Sequence, residues 1–326
     1  MRIMSRFMIL AVAMYLFCFT KPVVAVTWEM AGPLPASNFL TKNLQDFADK
    51  VDKLTGGEFK LNLHVSGELI KPQETKQALR TGQIPIGQMY LYVYGNEDPV
   101  YETSALPFIA GDAEKAMKMW EITKPSMEEI MAKQRIKILY VVPWPIQGFY
   151  TQQPIASKDD LKDLKFRVYS TKTARMAELL GANPVQIQFG EIAQAFATGL
   201  VGAMYTSPQT GINTQAWDFA KYFTNTYGGN RAMTAIGVNM KAYQALTPKM
   251  QQALQDAALE AQTQGWETSE AISNQQIETL KEKGMIVEDP TPEFKESLDK
   301  IGQQMLEEWA KTSGPLGEEV LKEFSK

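Results

Sequence analysis

The feature that most constrains this chain is a helical pattern that runs through residues 248–284 without an internal proline. A helix of about 35 residues at 1.5 Å per residue is roughly 50 Å long, which is more than one small domain needs. Its apolar positions are sparse and rich in Ala and Gln, which disfavours a coiled coil. We therefore expect a strut that bridges two domains and bends near Gly265.

Through the rest of the chain, short apolar runs typical of strands alternate with amphipathic runs typical of helices. This alternation predicts an α/β fold with mainly parallel sheets. The predicted strands are residues 26–30, 58–65, 84–92, 136–142, 166–169, 184–187 and 203–206. The predicted helices are residues 38–54 with Ser37 as the N-cap, 72–80, 113–133, 171–180, 190–197 and 292–311.

The N-terminal segment has the pattern of a cleaved secretory signal peptide. Arg2 and Arg6 precede an apolar run at residues 7–19, and small residues provide a cleavage site after Ala25. The apolar run is shorter than the roughly 20 residues that a membrane-spanning helix needs. Cys18, the only cysteine, lies in this segment, and the bulky residues before it disfavour a lipoprotein signal. We expect a cysteine-free, secreted, periplasmic protein.

The charge balance excludes some partners. The formal net charge is −4, and residues 1–25 carry three basic residues and no acid, so the remainder is more acidic still. A mildly acidic surface argues against binding to nucleic acid or to anionic lipid. The roughly 300 remaining residues suffice for two domains of ordinary size.

Few catalytic groups are present. His64 is the only histidine and lies in a predicted strand, and we find no G-x-S-x-G turn, H-E-x-x-H, paired-cysteine, Walker or Rossmann motif. Adjacent acids such as Glu128 and Glu129 point apart on a helix. We expect no catalytic residue, no metal and no cofactor, although a secreted hydrolase that uses only carboxylates stays open.

Arg167 is the anomalous charge of the chain, because Phe166 and Val168 flank it in an apolar strand. A guanidinium in such a place is costly unless a carboxylate or several acceptors meet it. The surrounding segment, residues 161–208, carries a series of short motifs. They are Leu-Lys-Asp-Leu-Lys at 161–165, Phe-Arg-Val at 166–168, Leu-Gly-Ala-Asn-Pro-Val at 180–185, Phe-Gly-Glu at 189–191 and Thr-Gly at 198–199.

In order and spacing, this segment resembles the signature of the periplasmic solute receptors of TRAP (tripartite ATP-independent periplasmic) transporters, which carry organic acids. Weaker similarities, such as Gly-Glu-Leu at 67–69 and Leu-Pro-Phe at 106–108, extend it over almost the whole mature chain. The resemblance implies an α/β, two-domain periplasmic binding protein fold in which the strut helix spans both domains. Domain I would comprise residues 26–148 and 237–265, and domain II residues 149–236 and 266–326. The chain would cross between them near residues 147–151 and 234–239.

The resemblance also implies a site in the interdomain cleft. Arg167 matches the family's carboxylate clamp, since a guanidinium offers two parallel donors to a carboxylate. Phe189 stands where the family often packs an aromatic ring on the ligand, with a core role as the alternative. The family's ligand-binding asparagine is replaced here by Thr206, whose neighbours Tyr205 and Ser207 add hydroxyl groups.

A second arginine found in sialic-acid-type members has no counterpart, because Gln147 and the residues after it occupy that segment. This departure favours a single carboxylate, and the candidate tyrosines and serine suit a monocarboxylate with a hydroxyl, oxo or aromatic substituent. Aromatic residues are as often core as ligand contacts. The remaining candidates for ligand contact are Tyr90, Tyr92, Trp144, Tyr150, Trp217, Gln73, Glu74 and Asn239.

The partners implied are a small carboxylate and the membrane permease subunits of a TRAP transporter, with hinge closure on binding and no ATPase. We expect a monomer. Two other classes stay open, namely the receptor of an ATP-driven importer or sensor kinase, and the carboxylate-only hydrolase.

Overall fold

A computed structural model of the chain describes residues 25–226 and 229–325. The predicted signal segment lies outside the described residues, and no described helix is long and apolar enough to cross a membrane. The strands are β1 (Val26–Ala31), β2 (Phe59–His64), β3 (Ile86–Tyr90), β4 (Ile136–Pro143), β5 (Gly148–Thr151), β6 (Lys165–Val168), β7 (Asn183–Gln186), β8 (Ala203–Thr206), β9 (Tyr222–Asn225), β10 (Met233–Asn239) and β11 (Ile286–Glu288). The α-helices are α1 (Phe39–Thr55), α2 (Thr75–Thr81), α3 (Ala113–Lys133), α4 (Thr171–Leu179), α5 (Ile192–Ala197), α6 (Pro208–Asn213), α7 (Met240–Ala245), α8 (Pro248–Glu282), α9 (Pro292–Thr312) and α10 (Gly314–Phe324).

These strands form two separate sheets, which confirms a two-domain α/β architecture. The first has the order β2-β1-β3-β10-β4 and the second the order β11-β9-β5-β8-β6-β7. Both sheets are mixed, because β10 runs antiparallel to β3 and β4, and β5 runs antiparallel to β8 and β9. We call the first sheet with its packed helices lobe I, and the second sheet with its packed helices lobe II.

Most predicted elements are present, and α3 and β8 have the predicted bounds. The N-cap of α1 is Asn38 rather than the predicted Ser37, because the Asn38 side chain accepts a hydrogen bond from the Leu40 N–H at 2.9 Å. The stretch predicted as an interdomain connection at residues 147–151 contains β5, which pairs on both sides inside lobe II.

The chain crosses between the lobes after β4 and again before β10. The two crossings touch, since the Trp144 backbone N–H donates to the Ala232 carbonyl at 2.8 Å. β10 pairs with β3 and β4 along its length, so the second crossing precedes Met233 instead of falling within residues 234–239. We call this pair of adjacent crossings the hinge region.

Helix α8 bridges the lobes, as the strut prediction requires. Its first half packs on α1 and β4, and its second half on α6 and β11. The helix is continuous through Gly265, where a Cβ atom would lie 2.6 Å from a methyl group of Val142. The glycine therefore serves close packing on β4, and the bend predicted there stays a prediction.

The C-terminal helices do not stay with lobe II. The first half of α9 packs in the lobe II core through Phe294 and Leu298. Further along α9, Trp309 is buried among lobe I residues and donates its Nε1–H to the Pro99 carbonyl at 2.7 Å. Helix α10 packs on α3 of lobe I. Residues 292–325 thus form a second link between the lobes.

Candidate functional site

A small cavity of about 50 Å³ lies between the two lobes next to the hinge region. Residues from lobe I, from both crossings and from lobe II line it. Seven of the thirteen residues predicted from the sequence to contact ligand lie in its wall. They are Tyr90, Tyr92, Trp144, Arg167, Phe189, Thr206 and Ser207.

Arg167 provides the only formal charge among the described residues of this wall. It lies in β6 and is 4% exposed. Its Nε–H donates to the Ile187 carbonyl at 3.0 Å, and its guanidinium lies 5.0 Å from the centre of the Tyr169 ring. Within residues 25–226 and 229–325, the two terminal nitrogens form no hydrogen bond and no ion pair. Those nitrogens are available to a bidentate anion.

Burial lowers the pKa of Arg167 to about 10, with Tyr169, Tyr92 and Tyr90 opposing that shift. The group therefore remains protonated at neutral pH. A buried cation without a protein counter-ion is costly, and the cost is removed when an anion binds. The electrostatics of the cavity thus select for a negatively charged ligand.

Aromatic rings surround Arg167 in the cavity, Tyr90 and Tyr92 from lobe I and Tyr169 from lobe II. Tyr90 and Tyr92 stack with centres 5.7 Å apart, and Tyr92 meets Tyr169 edge-on at 5.2 Å. Burial raises the pKa of all three hydroxyls, so they stay neutral at physiological pH. This wall offers flat apolar surfaces with uncharged hydroxyl groups at their edges.

Trp144 adds a polar donor to the aromatic wall. The side chain is 6% exposed, and its ring meets Phe39 edge-on. Its Nε1–H is buried and lies near the Tyr92 hydroxyl, but it forms no well-aligned hydrogen bond with a described residue. Since buried donors in native proteins are nearly always paired, this group is available to an acceptor on a ligand.

Hydroxyl and amide groups complete the lobe II side. Ser207 is the N-cap of α6, and its Oγ accepts a hydrogen bond from the Thr210 N–H at 3.2 Å. Thr206 and Thr210 bracket this turn in the cavity wall. Gln147 accepts a hydrogen bond from the Tyr169 hydroxyl at 2.8 Å, which fixes the ring over Arg167.

Two predicted contacts lie behind the cavity instead of in its wall. Tyr205 is fully buried in the lobe II core against Phe149 and Phe108, because successive residues of β8 point to opposite faces and Thr206 takes the cavity side. Tyr150 is fully buried as well, and its hydroxyl donates to the Ser207 carbonyl at 3.2 Å. It supports the Ser207 turn from below.

Four further candidates lie away from the cavity. Asn239 caps α7, and its amide donates to the Leu79 carbonyl at 2.7 Å. Trp217 is half-buried beside Lys283 in lobe II. Gln73 and Glu74 are exposed at the start of α2.

The cavity also contains residues that the sequence reasoning missed, and Tyr169 is the most important. It follows Arg167 by two positions, so strand alternation places both side chains on one face, and this signal could have identified it. No local sequence pattern identifies the others, because they reach the cavity only through the two crossings and the packing of one lobe against the other. They are Val93, Gln147, Gln188, Thr210 and Ala232.

A charged contact joins the lobes beside the cavity. Glu102 of lobe I, in a 3₁₀ segment at Pro99–Ala105, accepts a hydrogen bond from the Thr171 hydroxyl and lies 3.0 Å from Lys172 Nζ. Both partners belong to the first turn of α4, directly after the strand that carries Arg167. Gly95 is required here, because a Cβ would overlap the Glu102 side chain.

A neutral contact joins the lobes at the α6 side. The Asn38 amide at the start of α1 donates to Asn213 Oδ1 at 2.8 Å, and Gln209 donates to the same oxygen at 3.0 Å. The two cross-lobe contacts are consistent with a closed arrangement.

A cation-bearing cavity enclosed between two α/β lobes, with two adjacent crossings as a hinge, defines a two-lobed solute receptor. Residues 30–312 match the model of the DctP family, "Bacterial extracellular solute-binding protein, family 7", and this chain belongs to that family. It is a solute-binding protein of the TRAP type.

Solved structures of relatives support the assignment. DctP7 of Bordetella pertussis, described as an extracytoplasmic solute receptor binding pyroglutamic acid, is 37% identical with a TM-score of 0.89, covering 93% of this chain and 100% of that one. DctP6 of the same organism, with the same description, is 38% identical with a TM-score of 0.89, covering 92% and 99%. A pyroglutamate-specific TRAP protein from a marine metagenome, solved with co-purified pyroglutamate, is 33% identical with a TM-score of 0.88, covering 92% and 98%.

Proposed function

We propose that this protein captures a small monocarboxylate, with pyroglutamate as the first candidate, and delivers it to a TRAP-type membrane permease from the periplasm. The observation that carries the proposal is Arg167, a buried cation whose terminal nitrogens have no partner among the described residues. In this proposal, Arg167 binds the ligand carboxylate in bidentate fashion, and the Tyr169 ring and the Ile187 carbonyl hold the guanidinium in place.

The size of the cavity supports a small ligand. The space between the lobes measures about 50 Å³, which favours a compact ligand over a bulky one. A single unpaired cation in the described wall supports one carboxylate rather than two. A bulky sugar acid or a dianion fits these properties poorly.

The polar groups of the walls support pyroglutamate within this class. Pyroglutamate is a flat five-membered lactam that carries one carboxylate, one ring N–H and one ring carbonyl. The flat ring suits the stacked surfaces of Tyr90 and Tyr92, and the Trp144 Nε1–H, whose contact with Tyr92 is poorly aligned, suits the ring carbonyl. Ser207 and Thr206 offer hydroxyl oxygens to the ring N–H. Relatives at 33–38% identity that bind this compound add to the support.

Delivery to the permease rests on hinge closure. The two crossings at Trp144 and Ala232 let the lobes rotate, and the Glu102 and Asn38 contacts form only when the lobes meet. Ligand bound to both walls would favour the closed form, which we propose is a monomer that the permease recognises.

The test is to purify the mature protein, identify any co-purified small molecule by mass spectrometry, and then screen an organic-acid panel by thermal shift after ligand removal. We expect pyroglutamate or a monocarboxylate of similar size to be recovered and to raise the melting temperature. A protein that responds only to dicarboxylates, or to no acid, would contradict the proposal.

A further inference from the structure

A second groove lies between the lobes beside the Arg167 cavity. It measures about 370 Å³ and lies between α2 and the chain after β3 on lobe I, and the end of β7 on lobe II. Val93 and Gln188 contribute to the walls of both spaces. The groove and the ligand cavity are therefore adjacent spaces that share part of their walls.

The groove is polar and rich in amide groups. Five glutamines line it, namely Gln73, Gln77, Gln134, Gln186 and Gln188. Amides exchange hydrogen bonds with water or with a polar solute and carry no charge that would hold an anion tightly. Such walls suit passage of a small polar acid.

One of the two cations in the groove is neutralised by the protein. The Lys76 side chain is mostly buried, forms an ion pair with Glu97 and lies 4.3 Å from the centre of the Tyr94 ring. Burial lowers the pKa of Lys76, Glu97 raises it, and the nearby charge of Arg80 lowers it. Arg80 is thus close enough to Lys76 to influence the same space.

The other cation, Arg80, is not neutralised. It is exposed in the last turn of α2 and forms no ion pair with any acid in residues 25–226 and 229–325. Its charge faces a groove with one wall from each lobe, and such low-dielectric walls concentrate the field of a charge and raise the local concentration of counter-ions. On a protein with a formal net charge of −4, this is a local site of attraction for anions.

We propose that this groove is the access route to the ligand cavity and that Arg80 is the first, transient contact for the ligand carboxylate before it reaches Arg167. The proposal rests on the proposed function, because it requires an anionic ligand. A charge at the rim of a site changes the association rate and its salt dependence, and has little effect on dissociation. Arg80 would therefore set the rate of capture rather than the strength of binding.

The experiment is stopped-flow tryptophan fluorescence with pyroglutamate on the unaltered protein and on Arg80→Gln. Salt is set at about 0.01 M and about 1 M, where the Debye length is about 30 Å and about 3 Å. The matched control is Lys60→Gln, which removes the same charge from an exposed position of β2 outside the groove. We expect Arg80→Gln to lower the association rate constant about two- to five-fold at low salt only, with unchanged dissociation. Lys60→Gln should match the unaltered protein.

Equal association rate constants for Arg80→Gln and Lys60→Gln at low salt would overturn the access route while leaving Arg167-dependent binding intact. A loss of affinity in Arg80→Gln that persists at high salt would also overturn it, since Arg80 would then contact the bound ligand. Absence of pyroglutamate and monocarboxylate binding in the unaltered protein would instead overturn the proposed function, and the access route with it.

Discussion

The two walls of the ligand cavity differ in chemistry. The lobe II wall contains the buried cation Arg167, the hydroxyl groups of the Ser207 turn and the rings of Tyr169 and Phe189. The opposite wall, from the ends of β3 and β4, contains the rings of Tyr90, Tyr92 and Trp144 and no charge. The difference teaches that the charge lies on one lobe and an uncharged aromatic surface on the other, so a ligand that uses both would hold the two lobes together.

This separation gives each wall its own expected effect. Loss of the charged wall should remove binding of every carboxylate, whereas a change in the aromatic wall should alter which carboxylate is preferred. The contacts that bring the walls together should affect all ligands by a smaller, similar factor.

The largest effect is expected from Arg167→Ala. Truncating one partner of a buried charge pair costs about 2–5 kcal/mol, so the affinity for any acid should fall at least about 30-fold in calorimetry. The ligand-free melting temperature should stay constant or rise, because a buried unpaired cation is removed. The control is Arg175→Ala, which removes an arginine paired with Glu308 outside the cavity and should keep full affinity. If the affinity of Arg167→Ala stays within three-fold of that of the unaltered protein, the charged wall does not determine carboxylate binding.

A smaller effect is expected from Glu102→Gln, which leaves Lys172 without its acid only when the lobes are closed. The pair is mostly buried. The free energy lost with it should therefore lie between about 1 kcal/mol, the value for an exposed pair, and about 3 kcal/mol, the value for a fully buried one. Affinity for all ligands should fall roughly ten-fold, and X-ray scattering should show a larger ligand-free particle. Glu178→Gln, on the same helix α4 but within lobe II, is the control. Equal affinities for the two variants would show that the Glu102 contact does not bring the walls together.

The aromatic wall is tested by Trp144→Phe, which keeps a ring and removes the buried Nε1–H. A net hydrogen bond contributes about 0.5–1.5 kcal/mol, so pyroglutamate should bind about two- to twelve-fold more weakly. The affinity for cyclopentanecarboxylate, which has no ring carbonyl, should change little. Trp217→Phe removes an indole outside the cavity and should leave the affinity for both ligands unchanged. If Trp144→Phe lowers the affinity for both ligands equally, the indole contributes packing and not selectivity.

The smallest effect is expected from pH. Burial holds the pKa of Arg167 at about 10 and raises those of Tyr90, Tyr92 and Tyr169, so none of these groups titrates near neutrality. The dissociation constant should be constant from about pH 5 to about pH 9 and should rise only as Arg167 loses its proton above that range. A strong change between about pH 6 and about pH 8 would mean that a group outside the described wall contacts the ligand.

The fold was largely predictable because its signals are local. The helix at Ala113–Lys133 has an N-cap residue at Asp112 and a basic residue, Lys133, in its last turn. Both are helix-end signals that are visible in the sequence. The strand β5 was not predictable, because its four residues form a strand only by pairing with β8 and β9, which are distant in sequence. The return of α9 and α10 to lobe I depends in the same way on a distant partner, the Pro99 carbonyl that meets Trp309.

The site was predictable where a residue conflicts with its surroundings. Arg167 is a charge in an apolar strand, and that conflict is visible in the sequence alone. Tyr205 and Thr206 were both assigned to the ligand, although strand alternation allows only one of them to face the cavity. Gln188 and Ala232 could not be found, because they reach the wall only after the chain has crossed the hinge.

The central claim, that Arg167 meets the ligand carboxylate, is tested most directly by a cycle of four calorimetric titrations. The unaltered protein and Arg167→Ala are each titrated with pyroglutamate and with its carboxamide, which keeps the ring and removes the charge. The account predicts that the unaltered protein prefers the acid, that Arg167→Ala does not, and that the coupling energy is at least about 2 kcal/mol. Equal binding of acid and carboxamide by the unaltered protein would contradict it.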